Sequence, residues 1–188
     1  ELAGALFRAG IRAVTVQQNH MLDHGIGGFQ RTLEILESVG IEPIVNRRLI
    51  GDKNCTICLH NFTTHINDID NYKTEIPNID EKADINIALP HWGGQFVGIN
   101  KEQRKIADIL IEKGFDAIIG TGPHIEHKVE QIEDTIIAWS LGNFYSEHAG
   151  WNKDKPNRGI MLQLKIDDCK LSGWNSIPVA TKNNKIIL

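Results

Sequence analysis

Apolar residues recur along this chain with two periods, near 3.6 and near 2, and the alternation between them predicts the elements. Leu2, Ala5, Leu6 and Ala9 fall at helical spacing, and Gly10 ends that helix. "IRAVTV" reads as a short strand. "GGFQRTLEILESVG" places Phe29, Leu33, Leu36 and Val39 near one helical face, with Gly40 where a C-terminal glycine belongs. "IEPIV" is a short candidate strand. A longer strand is expected from about Cys55 to Phe62, bounded upstream by Gly51-Asp52. "ADINIALP" predicts a strand, "KEQRKIADILIEKG" a second amphipathic helix, and "FDAIIG" another strand. "KVEQI" and "TIIAWS" flank Glu133-Asp134 as a hairpin, and "GIMLQLKI" and "CKLSGWNSIPVA" form a second one across Asp167-Asp168. Thr63 to Pro77 and Tyr145 to Asn157 read as loops. Strand and helix alternate first, which implies a largely parallel sheet. Hairpins follow, so an α/β fold with a mixed sheet or two sheets is expected.

With 188 residues, the chain fits one domain over 1–188. A net charge of −4 leaves no basic excess for phosphates and argues against nucleic acid as a partner. No apolar run approaches the ~20 residues of a membrane-spanning helix. The opening "ELAGALFRAG" reads as the back half of a βα unit, so a preceding strand, and with it any signal or anchor, is expected upstream of Glu1. The three cysteines, Cys55, Cys58 and Cys169, do not suggest a disulfide framework.

Position is the informative feature of the polar residues. "IRAVTV" runs into Gln17, Asn19, His20 and Asp23. "DINIALP" runs into His91 and Trp92, "DAIIG" into Thr121 and His124, and "TIIAWS" into Asn143. Ligands of open α/β sheets bind beyond the carboxyl ends of the strands, so these loops can converge. One such histidine alone is more commonly a hydrogen-bonded surface residue; four such loops are harder to dismiss. Imidazole nitrogens with amide or carboxylate oxygens suit Mn, Zn or Fe. His20 and His24 are four apart, as in the H-E-x-x-H helix. Met21 stands where that motif has glutamate, and Gly25, Gly27 and Gly28 follow, so a strand-to-helix loop is expected instead.

Four pieces, in order, resemble one family. "QQNHMLDHGIGG" resembles the N-N-H-x-x-D-x-G segment of the bacterial capsule synthesis proteins called CapA, or poly-gamma-glutamate biosynthesis proteins. "LPHWGGQF" is similar to their H-W-G-x-E, "IIGTGPHIEH" to G-x-H-P-H-V, and "AWSLGNF" to Y-S-L-G-N-F. The likeness runs over roughly Leu2 to Phe144. It implies the four-layer α/β/β/α sandwich of calcineurin-like metallophosphoesterases, here N-terminally incomplete, with divalent metals (Mn, Zn or Fe) on strand-end loops. By position, Asn19, His91 and His124 would be metal ligands. His20 would stabilise charge or donate a proton, with Asp23 orienting it, as the catalytic pair. Trp92 and Asn143 would line the site or contact substrate. Metal-assisted hydrolysis of a phosphoester-type bond is the implied chemistry. The implied partners are an anionic polymer or phosphoester substrate and membrane-bound synthase subunits, in a membrane-associated or extracellular setting. Gly122 replaces the first histidine of H-P-H, Gln95 the glutamate of H-W-G-x-E, and Gln18 the first asparagine of N-N-H. These departures support an alternative, a non-enzymatic polymer- or partner-binding member. Under it, restoring histidine at 122 and glutamate at 95 is expected to create metal binding.

Cys55-x-x-Cys58 with His60 and His65 has a zinc-like ligand count without zinc spacing, so strand residues are the preferred reading. Cys55, Ile57 and Leu59 would share one strand face and Cys58 and His60 the other. "NDIDN" lacks the glycine and glutamate of a calcium loop. Ser140 lies outside a nucleophile elbow. Trp139 fits a core role, and Trp151 and Trp174 are candidates for a polymer-binding surface.

Overall fold

The computed structural model describes residues 2–64, 75–145, 157–182 and 185–187. At its centre is a six-stranded mixed sheet. Its strands are β3 (Arg47–Gly51), β4 (Thr56–Thr63), β5 (Ile85–His91), β6 (Ala117–Ile119), β7 (Val129–Ile132) and β8 (Thr135–Ala138), in the order β3-β4-β5-β6-β8-β7. β4, β5, β6 and β8 run parallel, and β3 and β7 pair antiparallel at the two edges. The apolar runs of β5, β6 and β8 are nearly continuous because both faces of the sheet are covered.

One face carries helix α3 (Lys101–Glu112), which buries Ile106, Ala107 and Leu110 against Phe62, Ala88, Ile118 and Ile137. Each large apolar side chain among them contributes about 1.5–3 kcal/mol on burial. The helix starts at a reciprocal cap: Gln103 N donates to Asn100 Oδ1 (2.8 Å) and Asn100 N to Gln103 Oε1 (3.1 Å). The opposite face carries a hairpin of β9 (Asn157–Asp167) and β10 (Lys170–Lys182), extended by β11 (Lys185–Ile187). Its Leu164, Leu171 and Trp174 pack on Ile85, Ile87, Ala117 and Ile136. Trp174 is thus partly buried against the core between the sheets.

Helices α1 (Leu2–Arg8) and α2 (Gly25–Ser38) pack on a parallel pair, β1 (Ala13–Thr15) and β2 (Glu42–Ile44), around Ala3, Leu36 and Ile41. The layers are those of a metallophosphatase-like α/β fold, as the sequence resemblance implied. Helix α2 starts at Gly25, earlier than the glycines suggest, with His24 as its N-terminal cap residue. Among the described residues, no helix is long and apolar enough to cross a membrane.

The cysteines correct the sequence reading. Cys55 is disulfide-bonded to Cys169, 114 residues away. The bond ties the start of β4 to the β9–β10 turn, where Asp168 and Cys169 both have positive φ (47° and 58°), as a type I′ turn requires. A zinc site on Cys55 is excluded in this oxidised state, because its sulfur is already bonded. Cys58 is a buried free thiol on the opposite strand face, as the strand alternation predicted. His65, the "NDIDN" stretch and Trp151 lie outside the described residues.

His60, on the same face as Cys58, is buried beside Phe115, and its Nε2 meets Asn86 Oδ1 at 3.0 Å. Burial holds its pKa below the usual 6.5, assisted by the Arg47 charge and opposed by Asn86 and Asp80. The neutral ring is favoured in the fold, so the unfolded chain takes up the proton first as pH drops. Stability is thus expected to fall as pH goes below 6.5, by up to about 1.4 kcal/mol per pH unit, until the folded-state pKa is passed. Urea midpoints at pH 8 and pH 5 check this: His60→Gln should remove that part of the acid loss.

Candidate functional site at the strand ends

Because β4, β5, β6 and β8 are parallel, their carboxyl ends share one edge of the sheet. The β1 end joins them: Gln17 N donates to Asn61 Oδ1 (3.0 Å), and Gln17 Nε2 donates to Asn46 Oδ1. Asn61 Nδ2 donates in turn to Leu89 O (3.1 Å). These buried amides seat the loop that follows β1 against the main sheet. Gln17 Oε1 is buried there without a hydrogen-bond partner.

The central contact is between His91 and Asn19, 72 residues apart, with Nε2 and Oδ1 at 2.9 Å. His91 Nδ1 lies 3.2 Å from Thr121 Oγ1. An amide oxygen only accepts, so Nε2 carries the proton in this arrangement and Nδ1 accepts from the threonine hydroxyl. Thr121 can also accept, so the opposite tautomer, with the lone pair on Nε2, costs no lost partner at Nδ1. His91 and Thr121 are themselves a parallel bridge pair extending β5 and β6.

His124 adjoins through Thr121-Gly122-Pro123. Its Nδ1 meets Asn143 Oδ1 at 3.0 Å, and its ring stacks on Phe96 with centroids 5.6 Å apart and planes 26° from parallel. The Asn143 loop rests on the hairpin: Asn143 N donates to Arg158 O (3.0 Å), Ile160 N to Leu141 O (2.8 Å), and Gly142 pairs with Gly159. His20 and Asp23 form a separate half-exposed pair, Nδ1 to Oδ2 2.8 Å, on the loop that carries Asn19. Gln18 Oε1 accepts from His20 N (2.7 Å) and shapes that turn.

Trp92 requires a correction. It is fully buried, stacks on Trp139 at 5.8 Å, and donates from Nε1 to Trp139 O (3.0 Å). Its indole is packed beneath the strand-end loops and has no exposed surface of its own. Gly122 also needs rereading. Its φ is +118°, and a Cβ there would sit 2.3 Å from Trp92 O. The position demands glycine in this backbone, so it is no simple vacancy left by a histidine. Ser140 is buried, and its Oγ accepts from Gly142 N (3.2 Å), a structural role. Gln95 is exposed on the loop after β5. Phe96 carries no sequence signal: nothing in its spacing marks it as a neighbour of His124.

A divalent ion fits part of this arrangement. The 2.9 Å between His91 Nε2 and Asn19 Oδ1 is a hydrogen-bond separation, and two ligands at right angles on one ion, each near 2.1 Å from it, would also lie about 3.0 Å apart. The charge fits less well. Among the described residues, the one grouping of three His, Cys, Asp or Glu side chains with ligand atoms within 4.8 Å is Cys55, Asp84 and Cys169. Two of those are bonded to each other, so that grouping offers no thiolate. The strand-end donors are neutral, and weak binding is expected from them alone.

The profile of the family described as "Bacterial capsule synthesis protein PGA_cap" matches residues 1–48 and 46–148. The chain is 34% identical over 94 residues to the PGA biosynthesis protein CapA of Bacillus subtilis, a match covering 48% of this chain and 24% of that protein. It is 29% identical over 84 residues to the capsule biosynthesis protein CapA of Bacillus anthracis, covering 44% of this chain and 20% of that one. The chain thus spans about a quarter or less of these relatives. A hypothetical protein from Thermus thermophilus has a similar structure, with TM-score 0.62 at 14% identity, covering 93% of this chain and 79% of that one. A phosphatase from Mycoplasma pneumoniae gives TM-score 0.64 at 11% identity, covering 93% and 74%. These two likenesses concern the fold.

Proposed function

The chain belongs to the bacterial capsule synthesis protein family PGA_cap, and from that premise we propose that it serves in making or exporting an anionic capsule polymer such as poly-gamma-glutamate. Its strand-end loops form a site for a divalent metal, Mn, Zn or Fe, that hydrolyses a phosphoester-type bond. The observation that carries this reading is that His91 Nε2 and Asn19 Oδ1, 72 residues apart in sequence, meet at 2.9 Å at the strand ends and bring an imidazole and an amide oxygen together.

In this reading Asn19, His91 and His124 hold the ion, with carboxylate charge needed beyond what the described residues bring. The ion, when bound, would lower the pKa of a coordinated water and neutralise charge on the attacked group. The other roles belong to side chains. With an ion on Nε2, His91 would take its other tautomer, Nδ1–H donating to Thr121 Oγ1. Asp23 accepts from His20 Nδ1 and orients its ring, and a protonated His20 would deliver its Nε2 proton to a leaving oxygen. Asn143 fixes the His124 ring. The substrate is an anionic polymer or a phosphoester, and membrane-bound synthase subunits are the expected protein partners. The net charge of −4 weighs against nucleic acid. A purely binding role is less favoured, because binding alone gives no reason for a His–Asp pair on the loop that carries Asn19.

The test is metal content and phosphodiesterase activity of the full-length protein. Wild type should bind Mn or Zn, and His91→Ala should lower the affinity by at least tenfold, since it removes a direct ligand. Unchanged metal stoichiometry and affinity in His91→Ala would sink the ligand assignment.

A further inference from the structure

We propose that Phe96 is a positioning residue that clamps the His124 ring so that Nε2 is the nitrogen presented to the site. The inference rests on the reading of His124 as a site residue, but not on any metal or activity. Phe96 sits at φ +57° and His124 at φ +61°, both left-handed and neither glycine. Each such residue persists only where its surroundings impose its conformation. Here the two loops impose it on each other. Phe96 N donates to the carbonyl oxygen of Pro123, the residue before His124, at 2.8 Å. One residue on, Val97 O accepts from His127 Nε2 (3.1 Å). One backbone anchor and one from the His127 side chain thus hold the loop after β5 against the loop after β6, where the phenyl and imidazole rings stack.

Asn143 completes the clamp from the ring edge. Its Oδ1 accepts from Nδ1, which leaves the lone pair on Nε2. One hydrogen bond would let the ring swing about the Nδ1 contact. The phenyl face removes that freedom. Fixing a histidine's orientation and tautomer through groups behind it is a general way of presenting one nitrogen to a ligand.

The experiment is long-range 1H–15N correlation spectroscopy of the imidazoles at about pH 8, where histidine is normally neutral. His124 is assigned by loss of its signals in His124→Gln. In wild type, His124 is expected to show a protonated Nδ1, a lone-pair Nε2, and ring protons displaced by the stacked phenyl. Phe96→Leu keeps apolar bulk without an aromatic face. It should lose the displacement and shift His124 toward a tautomer mixture, with the other histidines unchanged. Phe96→Tyr should restore both signatures. The unchanged histidines and the Tyr rescue separate a clamp from general loosening of the fold. The proposal is overturned if wild-type His124 carries its proton on Nε2. It is equally overturned if Phe96→Leu leaves the ring shifts and tautomer as they were. Neither result bears on whether the full-length protein binds metal or hydrolyses a substrate.

Discussion

Gly122→His is expected to destabilise the protein by about 4 kcal/mol or more, and to create no metal site. The family pattern would invite the opposite expectation, since histidine is the residue that G-x-H-P-H places there. The backbone decides against it. At φ +118° an L side chain is strained in open space, and here the space is closed: the new Cβ would meet Trp92 O at 2.3 Å and Trp92 C and N at 3.2 Å. These are main-chain atoms of a residue whose ring is locked against Trp139, so they cannot yield as a flexible side chain would. Thermal unfolding, followed by circular dichroism, checks the prediction. Gly122→Ala should show most of the same loss, because the clash begins at Cβ. Gln95→Glu is the contrast. It is exposed and should fold within about 0.5 kcal/mol of wild type. A Gly122→His protein as stable as wild type would mean that this turn takes another conformation in solution.

The second large effect is expected at the disulfide. Cys169→Ser should lower stability by about 3 kcal/mol, with about 5 kcal/mol as the chain-entropy limit for a loop of this length. The bond spans 114 residues, so its loss releases much of the unfolded chain. Cys169 occupies a left-handed position that a non-glycine residue adopts at a cost, and the covalent bond helps hold it there. The hairpin's contacts through Leu164, Leu171 and Trp174 remain, so the variant is expected to fold. Urea unfolding with and without a dithiol reductant measures the effect. Reductant should bring wild type to the level of Cys169→Ser and leave the variant unchanged.

The sequence made the site legible to the extent that chain geometry is local. Parallel strands covered on both faces write themselves as apolar runs, and whatever follows such a run lies at the carboxyl edge. That rule located His91, Thr121, His124 and Asn143. Contacts made only after folding left no such trace. Strand β3 carries two arginines and no alternation; its pairing with β4 is set by the Gly51-Asp52 turn, where Asp52 Oδ1 accepts from Asn54 N and Cys55 N. The pairing of Cys55 with Cys169 depends on where a hairpin turn lands on another sheet, which no spacing encodes. Gly122 was open to misreading for a related reason. A residue's absence from a ligand motif looks the same in sequence whether chemistry or backbone geometry excludes it.

The support behind Asn143 also orders events in time. Its loop is held by Arg158, Gly159 and Ile160, and Thr181 Oγ1 donates to Phe144 O (2.9 Å), so these anchors all lie later in the chain. A chain emerging from the ribosome presents Asn19, His91 and His124 before anything exists to steady the fourth loop. His124 therefore has its Asn143 partner steadied only when the β9–β10 hairpin closes. Any activity that needs His124 in place is withheld from the nascent protein until the chain out to Thr181 has been synthesised.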